Sequence, residues 1–208
     1  MNKNTRFWDR IAEKYARQPI SDEAAYQKKL QVTRDYLRPY MRVLEIGCGT
    51  GSTAIAHAPC VEHIRATDIS PNMIDIARTR AAEAGVDNVT FEVSAVEDLQ
   101  VEDPGVDAVL ALSLLHLVAD REAVIAGVHR MLQPGGFFIS NTACLGDRMR
   151  YMRPILPIGR MLGLMPMVKV FTVGQLEASL TGAGFDIDYR WRPEKGVAVF
   201  MVARKAIE

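Results

Sequence analysis

From Arg42 onward the chain alternates short apolar runs with amphipathic stretches. Val43-Leu44-Glu45-Ile46 runs into a glycine cluster and reads as a buried strand, with a short helix after it from Ser52 to Ala58. His63 to Asp68 reads as a second strand. Ser70-Pro71 then supplies an N-cap and a proline at the first helical position, opening a helix to Ala84 that Gly85 ends. Val89 to Val93 and Val106 to Leu110 read as the third and fourth strands. Asp120 caps a helix with an apolar stripe at Val124, Val128, Met131 and Leu132; Pro134-Gly135-Gly136 stops it, and Phe137 to Asn141 is a fifth strand. Thr172 and Gln175 have the spacing of a capping box before a helix over Leu176 to Ala183, closed by Gly184. Phe185 to Trp191 and Val197 to Ala203 flank Pro193-Glu194-Lys195-Gly196 as a terminal hairpin.

This alternation predicts an α/β fold with a doubly wound, mostly parallel sheet of seven strands. Ligands of such sheets bind beyond the carboxyl ends of the strands, so functional residues should lie just after a strand. Two stretches stand outside the alternation. Residues 1–40 predict a helical cap, with helices over Phe7 to Arg17 and Asp22 to Leu37; the second carries Tyr26, Leu30, Thr33 and Leu37 on one face. Leu145 to Val170 is an insertion after the fifth strand that holds five of the ten Met and three of the ten Pro. The chain reads as one domain over 1–208, with the cap at 1–40 and a helical lid at 145–170.

Composition narrows the function. With 208 residues, 49% hydrophobic and 24% charged, the chain is neither disordered nor fibrous. Twenty-five basic residues balance twenty-five acidic ones, which argues against nucleic acid as the main partner. Cys48, Cys60 and Cys144 make neither a disulfide framework nor a zinc ribbon, so no metal is expected and reduced thiols are. The first ten residues are too polar for a signal peptide, and the apolar run Ala108 to Ala119 is too short to span a bilayer. A cytoplasmic location is the expectation.

The chemistry begins at Gly47-Cys48-Gly49-Thr50-Gly51, between a strand and a helix, where glycines let a ligand approach the backbone. The dinucleotide fingerprint would need its third glycine at position 52, which is Ser52, and the Lys of a phosphate-binding loop is missing. Asp68 ends the second strand, where an acid can accept hydrogen bonds from both ribose hydroxyls of a nucleoside. Val43-Leu44-Glu45-Ile46-Gly47-Cys48-Gly49-Thr50-Gly51, Thr67-Asp68-Ile69-Ser70, Leu114-Leu115-His116 and Leu132-Gln133-Pro134-Gly135-Gly136 together resemble the class I S-adenosylmethionine (SAM)-dependent methyltransferases. The likeness runs over about residues 5 to 203 and is greatest to the small-molecule branch that includes the ubiquinone-biosynthesis type.

The resemblance implies SAM as cofactor and S-adenosyl-L-homocysteine as product. It implies that Glu45, Gly47, Cys48, Gly49 and Gly51 hold the methionine portion and that Asp68 binds the ribose. Ile69 and Met73 would lie beside the adenine, Val96 and Glu97 would close on it, and Leu112 and Ser113 would lie under the sulfonium. The family often has an Asp that contacts the adenine amino group; Ala95 stands there, which leaves that contact to Glu97, a backbone carbonyl or water.

Methyl transfer needs alignment first, and a base only where the acceptor carries a proton. His116, after the fourth strand, is the candidate base, set against a satisfied loop histidine. Tyr15 lies in a segment that in relatives closes over the cofactor, set against a core face of Phe7, Trp8, Ile11 and Tyr15. Cys48 and Cys144 read as small buried residues. Within the insertion, five basic residues face only Asp147, a net of +4 among apolar side chains. It predicts a lid over a small amphipathic or apolar substrate, with Arg150, Tyr151 and Arg153 as contacts, and a surface able to rest on anionic lipid. A helical cap with solvated arginines is the plainer alternative. A non-catalytic SAM-binding sensor or partner subunit and, further off, a nicotinamide-dependent oxidoreductase are the rival functions. The acceptor and the oligomeric state are not legible.

Overall fold

The computed structural model describes residues 3–99, 105–152, 154–161, 163–194 and 196–207. In chain order the elements are α1 (Lys3–Ala16), α2 (Glu23–Tyr36), β1 (Arg42–Ile46), α3 (Ser52–His57), β2 (His63–Asp68), α4 (Pro71–Glu83), β3 (Val89–Val93), β4 (Val106–Leu112), α5 (Arg121–Met131), β5 (Leu132–Ala143), α6 (Ile155–Met161), α7 (Val173–Gly182), β6 (Phe185–Trp191) and β7 (Ala198–Lys205). Short 3-10 turns cover Ala58–Cys60, Val96–Asp98 and Arg150–Met152. The strands form one seven-stranded sheet in the order β3-β2-β1-β4-β5-β7-β6. By backbone contacts the chain divides into two compact units, Met1–Gln100 with Val106–Leu110, and Val101–Gly105 with Ala111–Glu208.

In the first unit β1 pairs in parallel with β2 and β4, and β2 with β3. Glu45 stands opposite Ala66 on one side and Leu110 on the other. Leu44, Ile64 and Ala66 are fully buried, as strands covered on both faces must be. Each such Leu or Ile contributes about 1.5–3 kcal/mol on burial. Helix α4 starts where its sequence says: Ser70 Oγ accepts from the Met73 amide and Pro71 occupies the first turn. Asp22 caps α2 in the same way through the Ala25 amide.

The second unit is antiparallel, with β5 on β7 and β7 on β6. Phe138, Phe185, Phe200, Leu176 and Leu180 fill its core. The capping box of Thr172 and Gln175 forms in both directions and starts α7 at Val173, three residues ahead of the Leu176 start read from the apolar pattern. The fifth strand also begins earlier, at Leu132 rather than Phe137. Leu132 already has an extended backbone (φ −75°, ψ 140°), so the chain leaves α5 directly into the strand and Pro134-Gly135-Gly136 lies within it. The insertion is closed at its base. The Gly146 amide donates to Phe171 O at 2.8 Å, and a Cβ at Gly146 would come within 2.6 Å of the Phe171 carbonyl carbon. Asp147 Oδ2 accepts from the Val173 amide and pairs with Arg192 at 3.2 Å.

Candidate functional site

The glycine loop is shaped by three left-handed positions, with φ of 72° at Gly47, 54° at Gly49 and 76° at Gly51. β2 braces it. Thr67 O accepts from the amides of Gly47 and Cys48 at 2.7 and 2.9 Å, and Asp68 Oδ2 accepts from the Gly49 amide at 3.0 Å. Gly51 has a second reason to lack a side chain: a Cβ there would lie 2.8 Å from the Ala77 Cβ and 2.9 Å from the Phe91 ring. The loop therefore packs tightly against α4 and β3 while its other side stays open at Gly49. A Cβ there would meet the Tyr15 ring at 3.9 Å, an ordinary contact.

Two carboxyl groups flank this loop. Glu45, the fourth residue of β1, is 2% exposed, and its Oε2 has no hydrogen-bond partner among the described residues. Burial, and then the charge of Asp68, push its pKa up to about 8. An unpaired buried carboxyl oxygen costs stability unless a ligand completes it, and a cationic group is what it lacks. Asp68 also titrates high because it is buried, although the amides of Ser70 and Gly49 work against the shift and Asp9 adds to it. Asp68 Oδ1 accepts from the Ser70 amide at 2.9 Å and Oδ2 from the Gly49 amide, with the Ile69 amide a third backbone partner, which leaves the carboxylate acceptor capacity for a ligand. The set suits a ligand with a cationic group for Glu45 and vicinal hydroxyls for Asp68.

Tyr15 is 44% exposed, yet its phenol is pushed above the usual value by burial and by Asp68. The Trp8 ring meets it edge-on at 6.2 Å and Phe7 meets Trp8 at 5.4 Å, so the aromatic face of α1 is partly a packed cluster and partly a cover over Gly49. Tyr26 of α2 was legible only as one member of a helical face. The structure sets it within the field of Glu45 with a hydrogen bond to Thr53, and burial and Glu45 raise its pKa. Asp9 and Arg80 carried no signal in the sequence either, and both bond to residues of this region: Asp9 accepts from Ser70 Oγ at 2.6 Å, and Arg80 donates to Thr50 Oγ1 at 2.8 Å.

The other expected contacts of this unit lie nearby in varying readiness. Ile69 directly follows Asp68 and is half-buried; Met73 is 1% exposed and offers a ligand almost no surface. Val96 and Glu97 sit in the 3-10 turn after β3, with Glu97 exposed. Ala95 opens that turn, and its carbonyl accepts from the Asp98 amide and from Ser94 Oγ. Cys48 is buried, and burial with Glu45 and Asp68 raises its thiol well above the usual range, so it is the inert small residue its position implies.

In the second unit Leu112 ends β4, two residues beyond Leu110, the register partner of Glu45. Ser113 follows with φ 66°, the one non-glycine residue at positive φ among those described. Its amide donates to Asn141 O at 2.7 Å and the Asn141 amide group donates to Ser113 Oγ at 3.4 Å. A serine held there costs about 1–3 kcal/mol, a strain typical of binding loops. The Nδ1 of His116 is buried without a hydrogen-bond partner among the described residues, and burial lowers its pKa to about 4. The backbone carbonyl of His116 accepts from the Lys169 amide at 2.8 Å, which ties the insertion to this loop. Arg150 and Tyr151 lie in the 3-10 turn of the insertion, Tyr151 65% exposed; Arg153 lies outside the described residues. Ile155, Ile158, Met161 and Leu164 are also exposed, while Leu156 turns inward.

Residues 43–136 match the family of the methyltransferase domain. The chain is 31% identical over 154 residues to the ubiquinone biosynthesis O-methyltransferase of Xylella fastidiosa, covering 64% of this chain and 62% of that one. It is 37% identical over 105 residues to the enzyme of the same description from Xanthomonas campestris pv. campestris, covering 50% and 44%. The chain thus spans less than two thirds of the length of these curated relatives. Among solved structures, a SAM-dependent methyltransferase from Methanosarcina mazei superposes with a TM-score of 0.71 at 22% identity, covering 85% of this chain and 98% of that one. The chain has the class I methyltransferase fold, and its residues 43–136 carry the likeness to the methyltransferase-domain family.

Proposed function

We propose that the protein binds SAM at the glycine loop and transfers its methyl group to a small, amphipathic or apolar molecule. The observation that carries the reading is the buried, unpartnered Glu45 Oε2 beside Asp68 at the carboxyl ends of β1 and β2. Glu45 suits the ammonium of the methionine portion, and Asp68, with acceptor capacity left, suits the ribose hydroxyls. Ile69, Val96 and Glu97 are assigned to the adenine side, and Gly47, Cys48, Gly49 and Gly51 to the methionine side. Leu112 and Ser113 are assigned to the floor under the sulfonium. SAM supplies an electrophilic methyl group for in-line displacement by the acceptor. Tyr15 excludes water at Gly49 and presents an aromatic ring to a cation.

His116 takes the acceptor's side. With a pKa of about 4 it is unprotonated at neutral pH and its Nδ1 can accept a hydrogen bond. Taking a proton outright from a phenol of ordinary pKa (about 10) would be uphill by roughly 8 kcal/mol, so His116 orients a hydroxyl or assists an acceptor that is already acidic. Arg150, Tyr151 and Arg153 are assigned to the acceptor. The insertion, basic and apolar at its exposed face, rests on anionic membrane in the same reading, where an apolar acceptor is drawn from lipid. No helix among the described residues is long and apolar enough to cross a membrane, and the protein is assigned to the cytoplasm. The shared description of the curated relatives as O-methyltransferases supports an oxygen acceptor.

The test is methyl transfer from radiolabelled SAM into extracted small molecules, with phenol, thiol and amine panels run beside. Label in an organic-soluble product supports the reading. Tight SAM binding with no transfer in any panel would move the protein to the sensor class.

A further inference from the structure

We infer that Arg80 is a positioning residue that fixes α1, and through it Tyr15, over the glycine loop; the inference rests on the cofactor reading of that loop. Arg80 lies near the end of α4 and its guanidinium spans two elements. Nη2 donates to the Ala16 carbonyl, the last residue of α1, at 2.6 Å. Nη1 donates to Thr50 Oγ1 at 2.8 Å and to Ser52 Oγ at 3.2 Å. One side chain therefore joins the C-terminus of α1 to the glycine loop and to the first residue of α3. A helix C-terminus leaves carbonyls without intrahelical donors and carries partial negative charge, so a cation is the fitting clasp. A planar fork reaches all three acceptors at once, which an ammonium on a flexible stem does poorly.

The middle of α1 is held independently. Asp9 Oδ1 accepts from Ser70 Oγ at 2.6 Å and from the Asn72 amide at 3.3 Å, and the Asn72 side chain donates to Asp9 O at 3.1 Å. Asp9, Ala12 and Ala16 share the helix face turned to α4, and Ala12 is fully buried. Tyr15 precedes the clasped carbonyl, and its ring stands over Gly49. Removing the Asp9 clasp loosens the middle of α1; removing Arg80 frees the turn that carries Tyr15. The two clasps differ in what they control, and Arg80 is the one that links Tyr15 to the loop it covers.

A staple that merely stabilises would lower the melting temperature and leave ligand affinity alone. A positioning role has a different signature, read with S-adenosylhomocysteine by calorimetry. Arg80→Ala is expected to weaken binding by roughly tenfold, within what charge-assisted hydrogen bonds supply. Tyr15→Ala weakens it comparably, and the double variant is no weaker than Tyr15→Ala alone, because Arg80 acts through Tyr15. Multiplying effects in the double variant would overturn the proposal, as would wild-type affinity in Arg80→Ala. Thr50→Val removes one acceptor without touching Arg80 and is expected to weaken binding in the same direction, which covers the case in which Arg80→Ala does not fold. In Trp191→Phe protein, Trp8 is the remaining tryptophan and stands beside Tyr15. Its emission should change with Arg80→Ala before ligand is added, and an unchanged spectrum counts against the clasp. Absence of any binding by the wild-type protein would instead sink the cofactor reading itself, and this proposal with it.

Discussion

Binding of S-adenosylhomocysteine should expel a proton, and Glu45 is its source. Without ligand, Glu45 is buried and holds its proton up to a pH of about 8, and Asp68, Cys48 and Tyr26 are the titratable groups within its field. At pH 6.5 the Glu45 carboxyl is then about 97% protonated. The ligand's amine, with an ordinary pKa of about 7.7–8.0, is already more than about 90% charged there. Seating an ammonium against Glu45 Oε2 favours the carboxylate, and ionising it at that pH costs about 2 kcal/mol of the binding free energy. Titrations at pH 6.5 in buffers of different ionisation enthalpy should therefore report about 0.9 proton released per ligand bound. In Glu45→Gln the release should fall to nearly zero, and Asp68→Asn separates any share from the neighbouring carboxyl. If the measured enthalpy is the same in every buffer for the wild-type protein, Glu45 does not ionise on binding and its assignment to the ammonium fails.

Asp68→Ala should weaken S-adenosylhomocysteine by about 1.5–3 kcal/mol in calorimetry, the range for hydrogen bonds to a charged group; unchanged affinity would remove Asp68 from the ribose. Gly51→Ala should lower stability by about 3 kcal/mol, since the new Cβ meets Ala77 and Phe91 below contact distance at a left-handed φ; thermal unfolding shifted down by about 6–12 °C checks it. His57 is fully buried, neither ring nitrogen bonds to a described residue, and its pKa is lowered to about 4. The unfolded chain (His about 6.5) binds the proton first, so this histidine's contribution to stability is present above pH 6.5 and is lost on acidification toward pH 4, by about 3 kcal/mol. Glu45, raised to about 8, has the opposite slope, its contribution fading as pH rises from about 4.5 to 8. Urea unfolding of His57→Gln against wild type across pH 4–7 isolates the histidine, and parallel curves would refute it. Arg150→Ala and Tyr151→Ala should raise the acceptor KM and leave SAM affinity unchanged; equal losses in both would remove the insertion from the acceptor's side.

The sequence alone determined the elements whose cause is local. Ser70-Pro71 and the Thr172–Gln175 box start helices through hydrogen bonds within four residues, and a run such as Val43 to Ile46 is a strand because it must be buried on both faces. The glycine loop and Asp68 were legible for the same reason, since backbone freedom at Gly47, Gly49 and Gly51 and an acid at a strand end are properties of single positions. The start of β5 was not, because Pro134-Gly135-Gly136 breaks a helix whether a loop or a strand follows; the stretch paired with β7 begins at Phe137, where the apolar run placed the strand.

The tertiary structure alone decided the electrical state of the site. Nothing in the sequence separates a solvated Glu from Glu45, whose high pKa comes from burial and from Asp68, twenty-three positions away. Nor does it show that Asp9 and Arg80, each an ordinary charge on an amphipathic helix, fasten α1 to α4 and to the loop. Helix period and strand alternation report which face of an element is covered. Which charged side chain is desolvated, and which carbonyl it reaches, depends on elements far apart in the chain, and only their packing settles it.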